Sequence, residues 1–540
     1  MILLGHCKIM YSDKKITINR LVLVVSLFVT LIGNYKFFEG TIAVYPLQEN
    51  TLFIVSLFFW LFSFLAILLL LVCYRFNAKL ILIALLLSSS LVSYFADNYG
   101  IVFDENMIAN IFVTSMAESF DLISIKLALY LVFMGVIPSI YIYKIKTVEP
   151  TIKQHLWIKL KTIFVLIVIF ISITLLFSKS YTSLARENKQ LRVYINPSYY
   201  IYAIGKHINS QFKTISAPFK AIGEDAVISR PDKTNKLIIV VAGETARADR
   251  FSLNGYPRFT NPLLSRQNVI NFSQMYSCGT DTALSVPCMF SKLTREQYSH
   301  EQGKNMSNLL DILSFAGIEV LWRDNNSSSK GVADRVEFQD YRTSDRNTIC
   351  DIECRDEGML SNLQYYIDNN RGNDIVIVLH TMGSHGPAYY KRYPKRFETF
   401  FPVCETNQLN ECTDEQINNA YDNTIVYTDY FLNNTIELLK DNTEAFDTAM
   451  FYISDHGESL GENGLYLHGM PYFIAPKEQT HVASLIWFDE NFSNSINIDK
   501  LISQSNNELS HDSLFHVILG LMDVNTSVYD NELDFIPYER

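Results

Sequence analysis

Five long apolar runs in the first 178 residues constrain this chain more than any other feature. A helix needs roughly 17–25 mostly apolar residues to cross a bilayer. Three runs reach that length and two are borderline. Buried core helices are the alternative, but a cluster of such runs with short loops predicts a membrane domain. The expected spans are Ile16–Ile32, Leu52–Tyr74, Leu80–Phe95, Leu122–Tyr143 and Trp157–Phe177.

Lysine and arginine in the short loops predict the orientation of these spans, because positive loops stay in the cytoplasm. Basic residues precede the first span and lie in alternate loops, whereas the other loops are poor in them. One of the poor loops carries Asp97, Asp104, Glu105, Glu118 and Asp121. We therefore expect a cytoplasmic N-terminus and, after five spans, an exported second half. No cleavable signal peptide is needed, since the first span can direct insertion.

The composition changes between the two halves and predicts three regions. Residues 1–178 form a transmembrane domain, residues 179–230 a linker with interfacial helices, and residues 231–540 an exported catalytic α/β domain. The linker contains an aromatic cluster, Tyr194 with Tyr199–Tyr202, which suits a membrane interface. The equally weighted alternative is an ordinary linker whose aromatic side chains pack on the following domain.

The second half alternates short apolar runs with helical patterns. Continuous apolar strands are typical of a sheet that is covered on both faces. The expected strands are Lys236–Ala242, Glu319–Arg323, Asp374–Leu379, Ala449–Ser454 and Ser484–Phe488. The expected helices are Asn308–Ala316, Met359–Asn369 and Asp414–Lys440. This alternation predicts a doubly wound α/β fold.

Six of the eight cysteines lie in the second half, in three close couples. In an oxidising compartment they would form the disulfides Cys278–Cys288, Cys350–Cys354 and Cys404–Cys412, with Cys7 and Cys73 free. A zinc cluster is the alternative, but the spacings lack the two-residue gap of zinc fingers. The net charge of −11 argues against a nucleic-acid partner.

Acidic and imidazole side chains follow two of the expected strands. Glu244 comes after Lys236–Ala242, while Asp455 and His456 follow Ala449–Ser454. Reactive side chains collect at the carboxyl ends of strands in α/β enzymes. A mixed oxygen and nitrogen set suits zinc, so these three residues are candidate ligands. A surface turn is the alternative for the Asp-His pair taken alone.

A hydroxyl-rich segment, Ser277–Phe290, supplies the candidate nucleophile. We expect a disulfide between Cys278 and Cys288 to fix the turn that holds Thr280. A threonine hydroxyl needs activation, which a metal can provide. Thr280 would then be both the nucleophile and the fourth metal ligand. The alternative for this residue alone is a threonine that caps a helix.

Two histidines in glycine-flanked loops, His385 and His468, are candidates for phosphate contacts or proton transfer. Lys330, in a serine-rich loop, is a further candidate phosphate contact, with a solvated lysine as the equal alternative.

Seven stretches resemble the lipid A phosphoethanolamine transferases, the family that includes the mobile colistin-resistance enzymes. They are Val241–Arg247, Ser252–Pro257, Ser277–Phe290, Leu379–Tyr390, Ala420–Thr424, Ser454–Glu462 and Leu467–Pro471. The resemblance implies an α/β domain with a sheet like that of the alkaline phosphatase/sulfatase superfamily, preceded by a five-helix transmembrane α domain.

The resemblance also implies roles for individual residues. Thr280 would be the nucleophile that takes up phosphoethanolamine, and it would hold one zinc ion with Glu244, Asp455 and His456. His385 and His468 would contact substrate, with a second zinc ion near them left open, and Asn326 and Lys330 would be loop contacts. A row on one helix face would meet the donor headgroup, or else serve helix packing: Asn110, Thr114 and Glu118. Some relatives carry two more cysteines in the loop that matches Ser327–Asp334, and this chain has none there.

The implied enzyme is a zinc-dependent, monomeric phosphotransferase of the bacterial inner membrane with its catalytic domain in the periplasm. It would move phosphoethanolamine from phosphatidylethanolamine to a lipid A phosphate and thereby confer resistance to cationic peptides such as colistin. Three alternatives are transfer to the core sugars of lipopolysaccharide, a membrane phosphodiesterase or sulfatase-like hydrolase, and an inactive membrane receptor or scaffold. The complete set of ligand candidates argues against the last.

Overall fold

The computed structural model of the chain describes residues 16–113, 119, 121–148, 151–216, 218–230 and 234–539. The described chain forms two compact units. Residues up to Phe103 and Ile123–Tyr202 form the first, and Asp104–Leu122 with the residues from Ala203 onward form the second. Asp104–Leu122 lies between apolar runs in the sequence, yet by its contacts it belongs to the α/β unit.

The first unit is helical. Among the described residues, four helices are long and apolar enough to cross a membrane: Leu47–Val72, Ala78–Tyr99, Ile125–Lys144 and Ile152–Leu176. The third of these contains a π-helical turn, Leu131–Val136. Shorter helices follow in the region that the sequence predicts as a linker: Ser178–Glu187, the 3-10 helix Lys189–Tyr194 and Ser198–Ser216.

The first expected span is part of a bent helix pair. Ile18–Ile32 and Tyr35–Val44 meet at 52°, and they make a fifth candidate span only if the pair counts as one. Asn34 interrupts the helix between them, with φ −124° and ψ 29°. Its side-chain amide donates to the carbonyl oxygens of Val29 at 2.9 Å and Asn196 at 2.8 Å. These bonds satisfy backbone acceptors at the bend.

The second unit contains a seven-stranded sheet within the described residues. In chain order its strands are β1 (Asn235–Gly243), β2 (Ile270–Asn271), β3 (Glu319–Asp324), β4 (Glu337–Asp340), β5 (Ile375–His380), β6 (Phe446–Ser454) and β7 (Ser484–Phe488). The spatial order is β2-β7-β6-β1-β5-β3-β4. The run from β6 to β4 is parallel, and β7 pairs antiparallel with both β6 and β2. The sequence predicts five of these strands and misses the short edge strands β2 and β4.

Capped helices connect the strands. Asp414–Lys440 begins after a capping box in which Thr413 and Gln416 exchange side-chain and backbone bonds. The same motif, from Asn308 and Asp311, begins Leu309–Phe315. The remaining helices are Glu105–Val113, Thr282–Met289, His300–Lys304, Leu363–Asn369, Lys477–Thr480, Glu490–Ser493, Ile498–Gln504 and Leu514–Leu521.

One expected helix is divided. In place of Met359–Asn369 the structure has a 3-10 turn, Asp356–Leu360, followed by the helix Leu363–Asn369. Asn362 separates them with φ 57°, a left-handed conformation that no helix interior contains. Small two-residue strands lie outside the main sheet: Val227–Ile228, Met275–Tyr276, Ser459–Leu460, Tyr466–Leu467, His481–Val482, Leu509–Ser510 and Val524–Asn525.

Candidate active site

The carboxyl ends of β1 and β6 place three predicted ligands side by side. The two strands are parallel neighbours, and Gly243 is paired with Ser454. Glu244 follows the first strand, while Asp455 and His456 follow the second, so all three leave the sheet at the same edge. Each of the three side chains is fully buried.

Three ligand atoms of these residues converge. Oε1 of Glu244 and Oδ2 of Asp455 each lie 3.4 Å from Nε2 of His456. Neither oxygen has a hydrogen-bond partner among the described residues. Nδ1 of His456 lies 2.9 Å from the carbonyl of Gly457, which assigns the ring proton to Nδ1 and leaves the Nε2 lone pair free. Two orphaned carboxylate oxygens and one imidazole lone pair form a donor set that fits zinc.

The electrostatics of the three side chains also favour a cation. Burial, and then the neighbouring Asp455 carboxylate, raise the pKa of Glu244 well above its usual value. Burial raises the pKa of Asp455 to about 7. Burial lowers the pKa of His456 far below the usual range, which keeps the imidazole neutral, as a metal ligand must be. Two buried carboxylates this close repel each other unless a positive charge compensates them.

The hydroxyl at this site belongs to Thr282. Its Oγ1 donates to Oε2 of Glu244 at 3.0 Å and lies 3.2 Å from Nε2 of His456. Thr280, which the sequence analysis placed here, instead donates its hydroxyl to the carbonyl of Met470 at 2.6 Å. The structure therefore does not bring the Thr280 hydroxyl to the three candidate ligands, and the hydroxyl beside them is that of Thr282.

The start of a helix explains this shift of two residues. Asp281 caps the helix Thr282–Met289 and accepts a hydrogen bond from the backbone of Leu284. Thr282 is thus the first helical residue, and Thr280 lies before the cap. The N-terminus of a helix favours negative charge, so the end that carries the Thr282 hydroxyl suits an alkoxide or a phosphate oxygen. An aspartate directly before a helical run is the signal that could have located Thr282.

A second cluster adjoins the first. Ligand atoms of His456, Glu458 and His468 lie within 4.8 Å of one another, so these residues could also hold a metal. Nδ1 of His468 lies 2.9 Å from Oε2 of Glu458, whose other oxygen accepts from Tyr389 at 2.9 Å. Burial alone would lower the pKa of His468. The carboxylates of Glu458, Glu244 and Asp455 outweigh this effect and raise the pKa to about 9. No sequence pattern marks Glu458 as a site residue, although it follows Asp455 and His456 in the same loop.

The remaining predicted contacts on the α/β unit lie close to these clusters. The ring centroids of His385 and His468 are 5.5 Å apart. The side-chain amide of Asn326 donates to Oε2 of Glu244 at 2.6 Å. Nζ of Lys330 lies 2.6 Å from the hydroxyl of Ser327. Burial, His468 and Arg392 lower the pKa of His385, and the charge of Lys330 lowers it by a smaller amount.

The helical row of the sequence analysis is described only in part. Asn110 lies in the helix Glu105–Val113, whereas Thr114 and Glu118 lie outside the described residues. The helix belongs to the α/β unit. Its Met107 approaches the loop of His468, because a Cβ atom at Gly469 would lie 2.8 Å from the Met107 methyl group.

The three expected disulfides are present in the structure: Cys278–Cys288, Cys350–Cys354 and Cys404–Cys412. The first joins the segment before the Asp281 cap to the end of the Thr282–Met289 helix. Cys73 is buried and unpaired among the described residues, and Cys7 lies outside them.

Comparison with known proteins identifies the family. Residues 61–212 match the family described as phosphoethanolamine transferase EptA/EptB, and residues 236–524 match the sulfatase family. The chain is 41% identical to the phosphatidylethanolamine transferase Mcr-2 of Escherichia coli, over 97% of this chain and 99% of that protein. It is 40% identical to phosphoethanolamine transferase EptA of Escherichia coli K12, over 95% of each chain.

The chain belongs to the phosphoethanolamine transferase family.

Solved structures agree with this assignment. The integral membrane protein lipooligosaccharide phosphoethanolamine transferase A (EptA) from Neisseria meningitidis superposes with a TM-score of 0.93 at 35% identity, over 97% of this chain and 99% of that one. The soluble domain of the same enzyme matches 59% of this chain at 41% identity and a TM-score of 0.57. This phosphoethanolamine transferase therefore combines an apolar helical region with a sulfatase-like domain.

Proposed function

We propose that this phosphoethanolamine transferase moves phosphoethanolamine from phosphatidylethanolamine to a phosphate of lipid A through an adduct on Thr282. The observation that carries the proposal is the Thr282 hydroxyl, hydrogen-bonded to Glu244 and next to His456 at the helix N-terminus. The name of Mcr-2 supports the donor, and a 29% identical relative named Kdo(2)-lipid A phosphoethanolamine 7''-transferase supports an acceptor of this class.

The cofactor of this proposal is one tightly bound zinc ion, held by Glu244, Asp455, His456 and Thr282. Zinc bound there would supply positive charge that favours the Thr282 alkoxide and neutralises phosphate oxygens. The orphaned carboxylate oxygens and the free Nε2 of His456 support it. A second ion near His385 would use Glu458 and His468 without His456, whose free nitrogen would already hold the first ion, and it would take the place of the His468 proton in the steps below.

The first half of the reaction forms a threonine phosphodiester. Thr282 Oγ1 attacks the phosphorus of phosphatidylethanolamine, and its proton passes to Glu244 Oε2, the atom to which it already donates. The bond from phosphorus to the diacylglycerol oxygen breaks. His468, oriented by Glu458, gives a proton to that oxygen, so that diacylglycerol leaves as a neutral alcohol.

The second half returns the enzyme to its starting state. A lipid A phosphate oxygen attacks the phosphorus of the adduct and gives its proton to His468. The bond between Thr282 and phosphorus breaks, and the threonine oxygen takes back the proton from Glu244. Asn326, which donates to Glu244 at 2.6 Å, holds that carboxylate in place through both steps.

Both substrates are lipids, which explains why the catalytic domain is attached to a membrane region. We place the protein in the bacterial inner membrane as a monomer with five spans, a cytoplasmic N-terminus and a periplasmic catalytic domain. The bent pair Ile18–Ile32 and Tyr35–Val44 would be the first span. The product carries an added amine, so the outer surface would attract cationic peptides such as colistin less strongly.

Mass spectrometry of lipid A from cells that express this chain tests the proposal. We expect a phosphoethanolamine on a lipid A phosphate, and none in cells that express Thr282→Ala. Release of phosphoethanolamine into water without any modified lipid would indicate a hydrolase. Phosphoethanolamine on the core sugars would confirm a transferase but show that the acceptor is a sugar and not a lipid A phosphate.

A further inference from the structure

Two described residues of the segment Asp104–Leu122, Met107 and Asp121, contact residues that follow His468 and His385 in the chain. Near its start, Met107 packs against Gly469, the residue after His468. At its end, Asp121 binds Arg392 and Lys391, which follow His385 by six or seven residues. The rings of His385 and His468 lie 5.5 Å apart, so both contacts are made to residues that follow members of one histidine pair.

Asp121 is held at three points. Its Oδ1 accepts from Nζ of Lys391 at 2.5 Å, and its Oδ2 accepts from Nη2 of Arg392 at 3.1 Å. Its backbone carbonyl accepts from the side-chain amide of Asn407. An interaction that uses both carboxylate oxygens and the backbone fixes the position of this residue, and not only its charge.

Arg392 connects this anchor to the catalytic loop. Its guanidinium is nearly buried, with 4% of the side chain exposed. Nη2 binds Asp121, Nη1 binds Glu353, and Nε donates to the backbone carbonyl of His385 at 2.7 Å. A planar guanidinium has a fixed angle between its donors, so movement of one partner is transmitted to the others.

We propose that Arg392 is a positioning residue that sets the distance between the donor-binding segment Asp104–Leu122 and His385. The inference rests on the proposed function and on the roles that the resemblance implies for two residues: Asn110 would meet the donor headgroup, and His385 would contact substrate. The hydrogen bonds of Arg392 described above are to Asp121, Glu353 and the His385 carbonyl. It acts through the His385 carbonyl on one side and Asp121 on the other.

This role predicts a kinetic pattern that a merely structural residue would not give. In Arg392→Gln the Asp121 and His385 contacts are both lost, so we expect a higher KM for phosphatidylethanolamine and a kcat about 10- to 100-fold lower, as for small misplacements of catalytic groups. Arg392→Lys keeps the positive charge but lacks the planar set of donors, so its kcat should lie between those of Arg392→Gln and the unsubstituted protein. Lys391→Gln removes an Asp121 contact alone and should raise KM while kcat stays.

A matched control and a double variant sharpen the test. Arg396 lies four residues later, is 60% exposed and pairs with Glu357, so Arg396→Gln should leave both constants unchanged. If Asp121 acts on His385 through Arg392, the kcat of Asp121→Asn with Arg392→Gln should equal that of Arg392→Gln alone. Zinc content should be the same in all variants.

The experiment measures turnover of fluorescent phosphatidylethanolamine by the purified full chain in detergent. The proposal would be overturned if Arg392→Gln had the kcat of the unsubstituted protein. It would also be overturned if the fold-losses in kcat of Asp121→Asn and Arg392→Gln multiplied in the double variant. If Arg392→Gln does not fold, Asp121→Asn decides: a lowered kcat supports the connection, and parent values for kcat and KM refute it.

Hydrogen exchange separates this inference from the proposed function, because it needs no turnover. Asp121→Asn should speed amide exchange both in the helix Glu105–Val113 and in the loop of His385. If Asp121→Asn speeds exchange in both regions but the unsubstituted protein has no transferase activity, only the proposed function is refuted. Faster exchange confined to Glu105–Val113 would refute the connection to His385.

Discussion

The hydroxyl of Thr282 donates to Oε2 of Glu244 at 3.0 Å, at the point where a helix N-terminus meets the carboxyl edge of the sheet. Thr280, two residues earlier, donates to the carbonyl of Met470. The two threonines therefore make different contacts. Thr282 joins the cluster of Glu244 and His456, whereas Thr280 binds the loop of His468 through the carbonyl of Met470.

This difference gives a paired prediction. Thr282→Ala should lower transfer by at least about 10⁴-fold, the scale seen when a nucleophile is removed. Zinc should remain, because three ligands are left. Thr280→Ala loses one hydrogen bond to Met470, so its turnover should stay within about tenfold of the parent, given a net bond contribution of about 1 kcal/mol. Turnover of fluorescent phosphatidylethanolamine by the two purified variants measures both.

The proposed metal ligands give a second prediction. Glu244→Gln, Asp455→Asn and His456→Ala should each lower bound zinc and turnover together, because each removes a donor of the converging set. Asp447→Asn is the control, since Asp447 lies toward the opposite end of the same strand, β6. Metal analysis of the purified proteins decides. Undiminished zinc in all three ligand variants would place the metal elsewhere.

Chelation provides a third, independent prediction. Without a cation, Glu244 and Asp455 are two buried carboxylates in contact with one imidazole. Removal of zinc should therefore lower the melting temperature of the parent, because a ligand that binds only the folded state stabilises it. Asp455→Asn removes one of the repelling charges, and its melting temperature should respond less to the chelator. An equal response of the two proteins would contradict this account.

The pair of Glu458 and His468 gives a fourth prediction. Glu458→Gln removes the nearest carboxylate that raises the pKa of His468, and should lower turnover by about 10²–10⁴-fold, as expected for lost acid–base catalysis. His468→Ala and His385→Ala should have effects of the same order. All three variants should keep the tightly bound zinc. Loss of that ion in His468→Ala would instead make His468 one of its ligands.

The disulfide beside the nucleophile gives a fifth prediction. The double variant Cys278→Ser with Cys288→Ser frees the segment before Asp281, so it should lose activity beyond its loss of stability. Removal of a native disulfide costs about 2–5 kcal/mol of unfolding free energy. Cys404→Ser with Cys412→Ser is the control, because this disulfide closes a loop of comparable length in another part of the sequence. Turnover at a temperature where both variants are folded distinguishes them.

The sequence was sufficient to predict that Glu244, Asp455 and His456 lie together, because their convergence follows from the strand topology. Glu244 and Asp455 each follow an apolar strand, and parallel strands bring their ends to the same edge. The fold class follows from the same apolar strands and the helical patterns between them. The two edge strands, β2 and β4, were missed because each has four residues or fewer and little apolar pattern.

Other features depend on contacts that no local pattern contains. Thr280 and Thr282 flank the same aspartate, and only the start of the helix at Thr282 decides which hydroxyl reaches Glu244. Glu458 becomes significant through His468 and Tyr389, which come from two other loops. The association of Asp104–Leu122 with the α/β unit depends on Arg392 and Met107, and the surrounding sequence indicates only membrane helices.

The central claim is a covalent phosphoethanolamine on Thr282, and peptide mass spectrometry tests it most directly. The purified enzyme is incubated with phosphatidylethanolamine in the absence of acceptor, digested, and the peptide from Ser277 to Phe290 is sequenced by fragmentation. The account predicts phosphoethanolamine on Thr282, absent from the Thr282→Ala protein and lost when lipid A is added. Modification of Thr280 in place of Thr282, or transfer to lipid A by an enzyme that never carries an adduct, would contradict it.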